Sequence, residues 1–128
     1  MAADYTYMDP AELAALLDDA EECASVAVID CRDDDRCDGF IVGSIHFPSR
    51  TQSEQRIHEL AAALEEEGRT VIVFHCNLSQ VRGPRAAIRF AAALRERAIC
   101  TLSVYVLRGG WDRFYAVYGE SRPELIAY

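Results

Sequence analysis

The sequence predicts an α/β protein with a mostly parallel central sheet covered by helices on both faces. Three observations lead there. Short apolar runs rich in β-branched residues, Ser25–Asp30, Val71–His75 and Leu102–Leu107, read as buried strands. Between them lie segments with apolar residues at helical spacing, the alternation that builds βαβ units with right-handed crossovers. The 128 residues, 51% apolar and 27% charged, suit one core of ordinary globular composition, so residues 1–128 are taken as a single domain.

Asp9-Pro10 marks a helix start, with Asp as N-cap and Pro at the first helical position, and "AELAALLDDA" carries the pattern onward. The strand Ser25–Asp30 follows, then "CRDDDRCDGF", polar enough to read as a loop. "GSIHFPS" reads as a short strand ended by Pro48. "SEQRIHELAAALEEEG" is an amphipathic helix with Ile57, Leu60, Ala61 and Leu64 on its apolar stripe, closed by Gly68. After the strand Val71–His75, "GPRAAIRFAAALRERA" forms a helix with Ile88, Ala91, Ala92 and Leu94 available for its inner face. The strand Leu102–Leu107, an "RGG" turn and a short helix "WDRFYAVY" ended by Gly119 complete the chain.

A net charge of -8 with no basic run argues against nucleic acid or an anionic membrane as partner. No apolar stretch approaches the ~20 residues that span a bilayer. "MAADYTYMDP" lacks the charged and apolar regions of a secretory leader, so a cytoplasmic location is expected. The five cysteines (Cys23, Cys31, Cys37, Cys76, Cys100) are an odd number and include no C-x-x-C pair. His46, His58 and His75 do not join them at zinc spacing, so neither a disulfide framework nor a metal site is expected.

The chemistry concentrates in "TVIVFHCNLSQVRGPRAA". In a parallel sheet, ligands bind beyond the carboxyl ends of the strands, and Cys76 stands at such an end. Five residues separate it from Arg82, where the next helix opens. A loop of that length can curl its backbone N–H groups around one point, with the helix N-terminus behind them, and so bind an oxyanion. Arg82 adds a planar fork for two oxygens. The same positive charges favour the ionised form of Cys76, which becomes a nucleophile held against the central atom of a tetrahedral anion. The plainer alternative is a buried cysteine at a strand end and a solvated arginine.

"HCNLSQVRGPRAA" resembles the active-site loop of the rhodanese-like superfamily, in the C-x5-R branch that holds the cell-division-cycle dual-specificity phosphatases and the eukaryotic arsenate reductases. "VIDCRDDDRCDGFIVGSIHFP" and "YVLRGGWDRFY" resemble the first and last strands of that domain with their turns. The resemblance implies a three-layer α/β/α fold around a five-stranded, mostly parallel sheet. It implies Cys76 as nucleophile, Arg82 as oxyanion binder, and the loop residues Asn77, Leu78, Ser79, Gln80 and Val81 around the substrate. The Ser79 hydroxyl either contacts the anion or thiolate or shapes the loop. His75 is expected to point away from the pocket and to make a structural hydrogen bond, since strand residues alternate.

Within that branch the loop "NLSQV" carries no acid, whereas the cell-cycle phosphatases have an acidic residue there. An ester's leaving group benefits from a general acid. Asp33, Asp34, Asp35 and Asp38 read mainly as solvated loop carboxylates, any one of which is a candidate acid. The resemblance therefore points to reduction of arsenate, and of antimonate, with glutathione as co-substrate, glutaredoxin as partner, no tightly bound cofactor, and some phosphatase turnover. The alternative is a protein tyrosine or dual-specificity phosphatase acting through a phosphocysteine. A sulfurtransferase is disfavoured because those members have a shorter loop. In the matching phosphatases the cysteine of "DCR" pairs with the nucleophile, so Cys31 is either a resolving thiol or core packing. Trp111, Tyr105, Tyr115 and Tyr118 are expected in the core or at the rim, and Arg108 at the turn is a candidate contact for an anion or thiol.

Overall fold

The computed structural model of the chain describes residues 4–128; Met1, Ala2 and Ala3, which open the stretch read above for a leader and belong to the 1–128 domain reading, lie outside the described residues. Along the chain run β1 (Thr6–Met8), α1 (Pro10–Asp18), β2 (Val26–Asp30), β3 (Phe40–Ile41), β4 (Ile45–His46), α2 (Glu54–Glu66), β5 (Val71–His75), α3 (Arg82–Glu96), β6 (Ser103–Leu107), α4 (Gly110–Tyr118) and β7 (Ile126–Ala127). Five strands form a wholly parallel sheet in the order β1-β6-β5-β2-β4, and β3 and β7 make a separate antiparallel pair.

The alternation of side chains along each strand divides the core in two. Ala27 and Ile29 of β2, Ile72 and Phe74 of β5 and Val106 of β6 meet Ile57, Ala61 and Leu64 of α2 and Ala87, Phe90 and Leu94 of α3. Val26, Val28, Val73 and Leu107 point the other way, against Leu13 of α1 and Trp111 and Phe114 of α4. This is the three-layer α/β/α arrangement expected from the sequence, and it explains why the central strands read as continuous apolar runs: both faces are covered. α2 ends as expected at Gly68, whose φ of +76° lets its N–H reach the Glu65 carbonyl at 3.1 Å.

Four details depart from the sequence reading. β1 was not foreseen: it has three residues, of which only Met8 is buried, too few to show a period. The segment Cys31–Phe40 is not wholly irregular; it holds a 3₁₀ turn at Asp34–Asp38 and ends by opening β3. The partner β7 and the 3₁₀ turn Pro123–Leu125 before it, near the C-terminus, were also unforeseen. α3 starts at Arg82 rather than Gly83, and its buried line is Ala87, Phe90, Ala91 and Leu94. Ile88, assigned to that face, is 45% exposed, because it lies about 100° around the helix from Ala87.

No helix among the described residues is long and apolar enough to cross a membrane. Phe90 is 1% exposed and its ring lies 5.2 Å from that of Phe74, between sheet and helix. Phe90→Ala is expected to cost about 3–5 kcal/mol of stability in urea unfolding; a loss below about 1 kcal/mol would contradict this packing.

Candidate active site

The site is laid out by the pairing of β2 with β5. Asp30 lies opposite His75, and the next N–H along β2, that of Cys31, still bonds the His75 carbonyl at 2.7 Å. Cys31 and Cys76 therefore leave neighbouring strands at the same level. Both continue the α2–α3 face of the sheet, after Ile29 and Phe74, and both are buried. Neighbouring strands lie about 4.8 Å apart, within the Cα separation that a disulfide spans. Burial pushes the Cys31 thiol up, so it stays protonated and is a poor attacking group.

The chain then turns through Asn77–Val81 into α3. Two backbone bonds fix how the turn begins: Trp111 donates its N–H to the Cys76 carbonyl at 3.0 Å, and Asp112 donates to the Asn77 carbonyl at 2.9 Å. His75 Nδ1 lies 3.0 Å from the Cys76 carbonyl, which can only accept, so the imidazole carries its proton there. Peptide groups are planar and trans, so the N–H of Asn77 and of Leu78 point away from α4. Gly110 makes this approach possible. Its φ is +62°, and a Cβ there would lie 2.6 Å from the carbonyl oxygens of both Cys76 and Asn77. Gly83 sits against the strand exit in the same manner, with a Cβ meeting His75 Cα at 3.1 Å. Ser79 takes a left-handed φ of 56° at the apex of the turn.

Cys76, Asn77, Leu78, Gln80, Val81 and Arg82, together with Asp35, line a cavity of about 220 Å³. Ser79 is not in that lining. It is 3% exposed, and its hydroxyl has no partner among the described residues. The loop-shaping bond considered for it is not made among the described residues. Arg82 does not stand free over the cavity. Its Nη1 donates to Asp35 Oδ1 at 2.9 Å and its Nη2 to Oδ2 at 2.6 Å, a two-pronged pair, with Asp33 Oδ2 a further 3.4 Å contact. The guanidinium holds the Asp35 carboxyl down to about 2, and the carboxylates raise Arg82 further still.

The loop carboxylates are thus not simply solvated, as the sequence suggested. Asp33 accepts from the Ser49 hydroxyl at 2.5 Å and the Arg50 N–H at 3.1 Å, and Asp34 pairs with Arg50 at 2.7 Å. Asp38 instead borders a second cavity of about 700 Å³ beside the loop, with Asn77, Trp111 and Tyr115. Arg108 is turned away: it pairs with Asp9 at 2.9 Å and lies over the Tyr7 ring. Trp111 is buried, Tyr118 packs on Phe114, and Tyr105 lies half-buried on the α1–α4 side. Among the described residues no three His, Cys, Asp or Glu side chains gather to hold a metal ion.

A rhodanese-like domain profile matches residues 9–117. The chain belongs to the rhodanese-like family. Among solved rhodanese-like structures, the As-Sb reductase from Leishmania major superposes with a TM-score of 0.93 at 48% identity, covering 95% of this chain and 84% of that one. Arsenate reductase 2.2 of Oryza sativa subsp. japonica is 40% identical over 75% of this chain and 69% of its own length. A CDC25-like phosphatase of Saccharomyces cerevisiae is 32% identical over 95% of this chain and 89% of its own. These relatives imply an enzyme of the rhodanese superfamily acting on an oxyanion or a phosphate.

The foot of this rhodanese-like site is a charged cluster that motif reading missed. Asp30, fully buried, accepts from Arg32 Nη2 at 2.7 Å and from Arg36 Nε at 3.0 Å. Arg32, also fully buried, bonds the Gly39 carbonyl at 2.8 Å, and its guanidinium lies 4.6 Å from the centre of the Trp111 ring. His75 Nε2 sits 3.9 Å from Asp30, but burial lowers its pKa and keeps the ring neutral. Burial raises the Asp30 carboxyl, yet the bonds from Arg32 outweigh it and the net shift is downward. The sequence signal was present in "DCR"; what it lacked was the partner of each charge.

Removing one member leaves the other charge buried and unpaired. Asp30→Asn is expected to cost about 3–5 kcal/mol in urea unfolding. A carboxyl held down in the folded state stabilises above its unfolded value, about 3.9, and that contribution drains away as pH falls towards the folded value. Wild-type stability should therefore decline below about pH 4, and the part due to Asp30 should be missing from Asp30→Asn; identical pH profiles would contradict the pairing.

Proposed function

We propose that the protein is a thiol-dependent arsenate reductase, acting also on antimonate, with Cys76 as nucleophile and Arg82 and the loop amides as oxyanion binders. The observation that carries the reading is the placing of a buried cysteine and a planar guanidinium on one small cavity, in a chain 48% identical to an As-Sb reductase. The Cys76 thiolate attacks arsenic, an S–As bond forms, and one hydroxyl leaves with a proton as water. Glutathione thiolate then attacks the Cys76 sulfur. The S–As electron pair passes to arsenic, which leaves as arsenite, and the two sulfurs become a mixed disulfide. A glutaredoxin thiolate then attacks the glutathione sulfur of that disulfide, takes the glutathionyl group as its own mixed disulfide, and releases Cys76 as the thiolate.

The neutral loop residues Leu78, Gln80 and Val81 support this reading over ester hydrolysis, because hydrogen arsenate carries hydroxyl protons of its own to release water, whereas an ester's alkoxide needs a proton from an acid. A second reading, phosphatase turnover through a phosphocysteine, is favoured by the 32% identity to a CDC25-like phosphatase. Both use the same pocket. Cys31 is in reach of Cys76, but its buried, protonated thiol favours an external thiol for turnover. Cys31 then has a protective role, closing a disulfide onto an oxidised Cys76.

The test compares glutathione- and glutaredoxin-dependent arsenate reduction with aryl phosphate hydrolysis. Cys76→Ser should abolish both. Arg82→Lys, which keeps the charge and loses the fork, should lower both about a hundredfold or more with the melting curve intact. Arsenate reduction should exceed hydrolysis in kcat/KM, and hydrolysis alone would decide for the phosphatase. After mild peroxide, peptide mapping should find a Cys31–Cys76 disulfide that dithiothreitol reverses; Cys31→Ser should be inactivated irreversibly.

A further inference from the structure

We infer that Asp35 is a specificity-determining residue: it selects tetrahedral oxyanions that carry a proton, such as hydrogen arsenate, hydrogen phosphate or a singly ionised phosphate monoester, and rejects fully deprotonated ones such as sulfate. This rests on the proposed role of the cavity as an oxyanion site. Asp35 lines that cavity with Cys76 and Arg82. Its two oxygens take both prongs of the Arg82 fork at 2.9 and 2.6 Å, in the manner of an anion occupying the fork. Arg82 uses only its Nη groups for these bonds, so its Nε–H is open to an oxyanion, which then binds beside the carboxylate.

The carboxylate does not leave when that happens. Its Oδ1 also accepts the backbone N–H of Asp33 at 2.9 Å, which anchors it at the start of the 3₁₀ turn. Its Oδ2 has Arg82 Nη2 as its one hydrogen-bond donor among the described residues. With a single donor, Oδ2 keeps acceptor capacity for a ligand in the cavity that Asp35 lines. Asp33 cannot serve equally, since its Oδ2 is held by the Ser49 hydroxyl and its Oδ1 by the Arg50 N–H. An ionised carboxylate accepts and never donates. A ligand with an X–OH group gives Oδ2 a charge-assisted hydrogen bond. A ligand without one meets it as charge against charge.

The two ligands that isolate this effect are inorganic phosphate and sulfate. They are close in size and shape, and near pH 7 every phosphate species carries a proton while sulfate carries none. Binding of each to the reduced wild-type protein and to Asp35→Asn is measured by titration calorimetry at fixed ionic strength. Wild type should bind phosphate about tenfold or more tightly than sulfate, the size of discrimination that one charge-assisted hydrogen bond supplies. In Asp35→Asn, whose amide can donate as well as accept, sulfate should tighten and the ratio should fall to within about threefold. A wild-type ratio near one overturns the inference without need of any variant. So does a ratio that survives in Asp35→Asn, or one that stays constant while both anions tighten equally, which would make Asp35 a plug and not a selector. Failure of wild type to bind either anion overturns the oxyanion site itself, and the proposed function with it.

Discussion

The Cys76 carbonyl is the point on which the site depends. It accepts two N–H groups, one from the Trp111 backbone and one from the His75 ring, each at 3.0 Å. With the Asn77 carbonyl bonded to Asp112, the first two peptide groups after Cys76 are fixed in orientation. Their N–H groups face away from α4, as an anion-binding turn requires. That geometry needs α4 to begin almost in contact with the loop, and only a residue without a Cβ fits at Gly110. The glycine pair after β6 and the cysteine after β5 are therefore one structural feature, joined across the sheet.

A second layer supports the first. Trp111, whose backbone holds the loop, lies with its ring under the buried Arg32, and Arg32 is neutralised by Asp30 at the end of β2. A buried ion pair of this kind adds little net stability over an apolar replacement, but breaking it is costly. In this protein it gives the strand exit one geometry. The segment that carries Asp33 and Asp35 starts from there and is brought over the cavity, so the polar cluster beneath the sheet and the carboxylates above it belong to the same turn of chain.

Much of this was legible in the sequence. The three buried strands and the main helices announced themselves by apolar runs and helical spacing, and C-x5-R between a strand and a helix singled out Cys76 and Arg82, which the fold sets on one cavity. The unread features share a cause, which is that they depend on partners distant in sequence. Thr6–Met8 becomes a strand because β6 offers an open edge. Ile126–Ala127 pairs with Phe40–Ile41, more than eighty positions away. Asp35 looked like a solvated carboxylate until the fold set it against Arg82, and Ile88 looked like core until the helix was rotated by its neighbours Ala87 and Phe90. Local pattern specifies elements; which charge meets which is decided by the sheet register.

The central claim, that the turn Asn77–Arg82 is an oxyanion cradle whose amides face the ligand, is tested most directly by amide NMR. Inorganic phosphate is titrated into the reduced, isotopically labelled protein. The account predicts that the largest shifts fall on the backbone amides of Asn77 to Arg82 and on the Arg82 side chain. The amides of Trp111 and Asp112, already bonded to the loop carbonyls, should move little. Shifts centred elsewhere, or none in this turn at saturating phosphate, would contradict it.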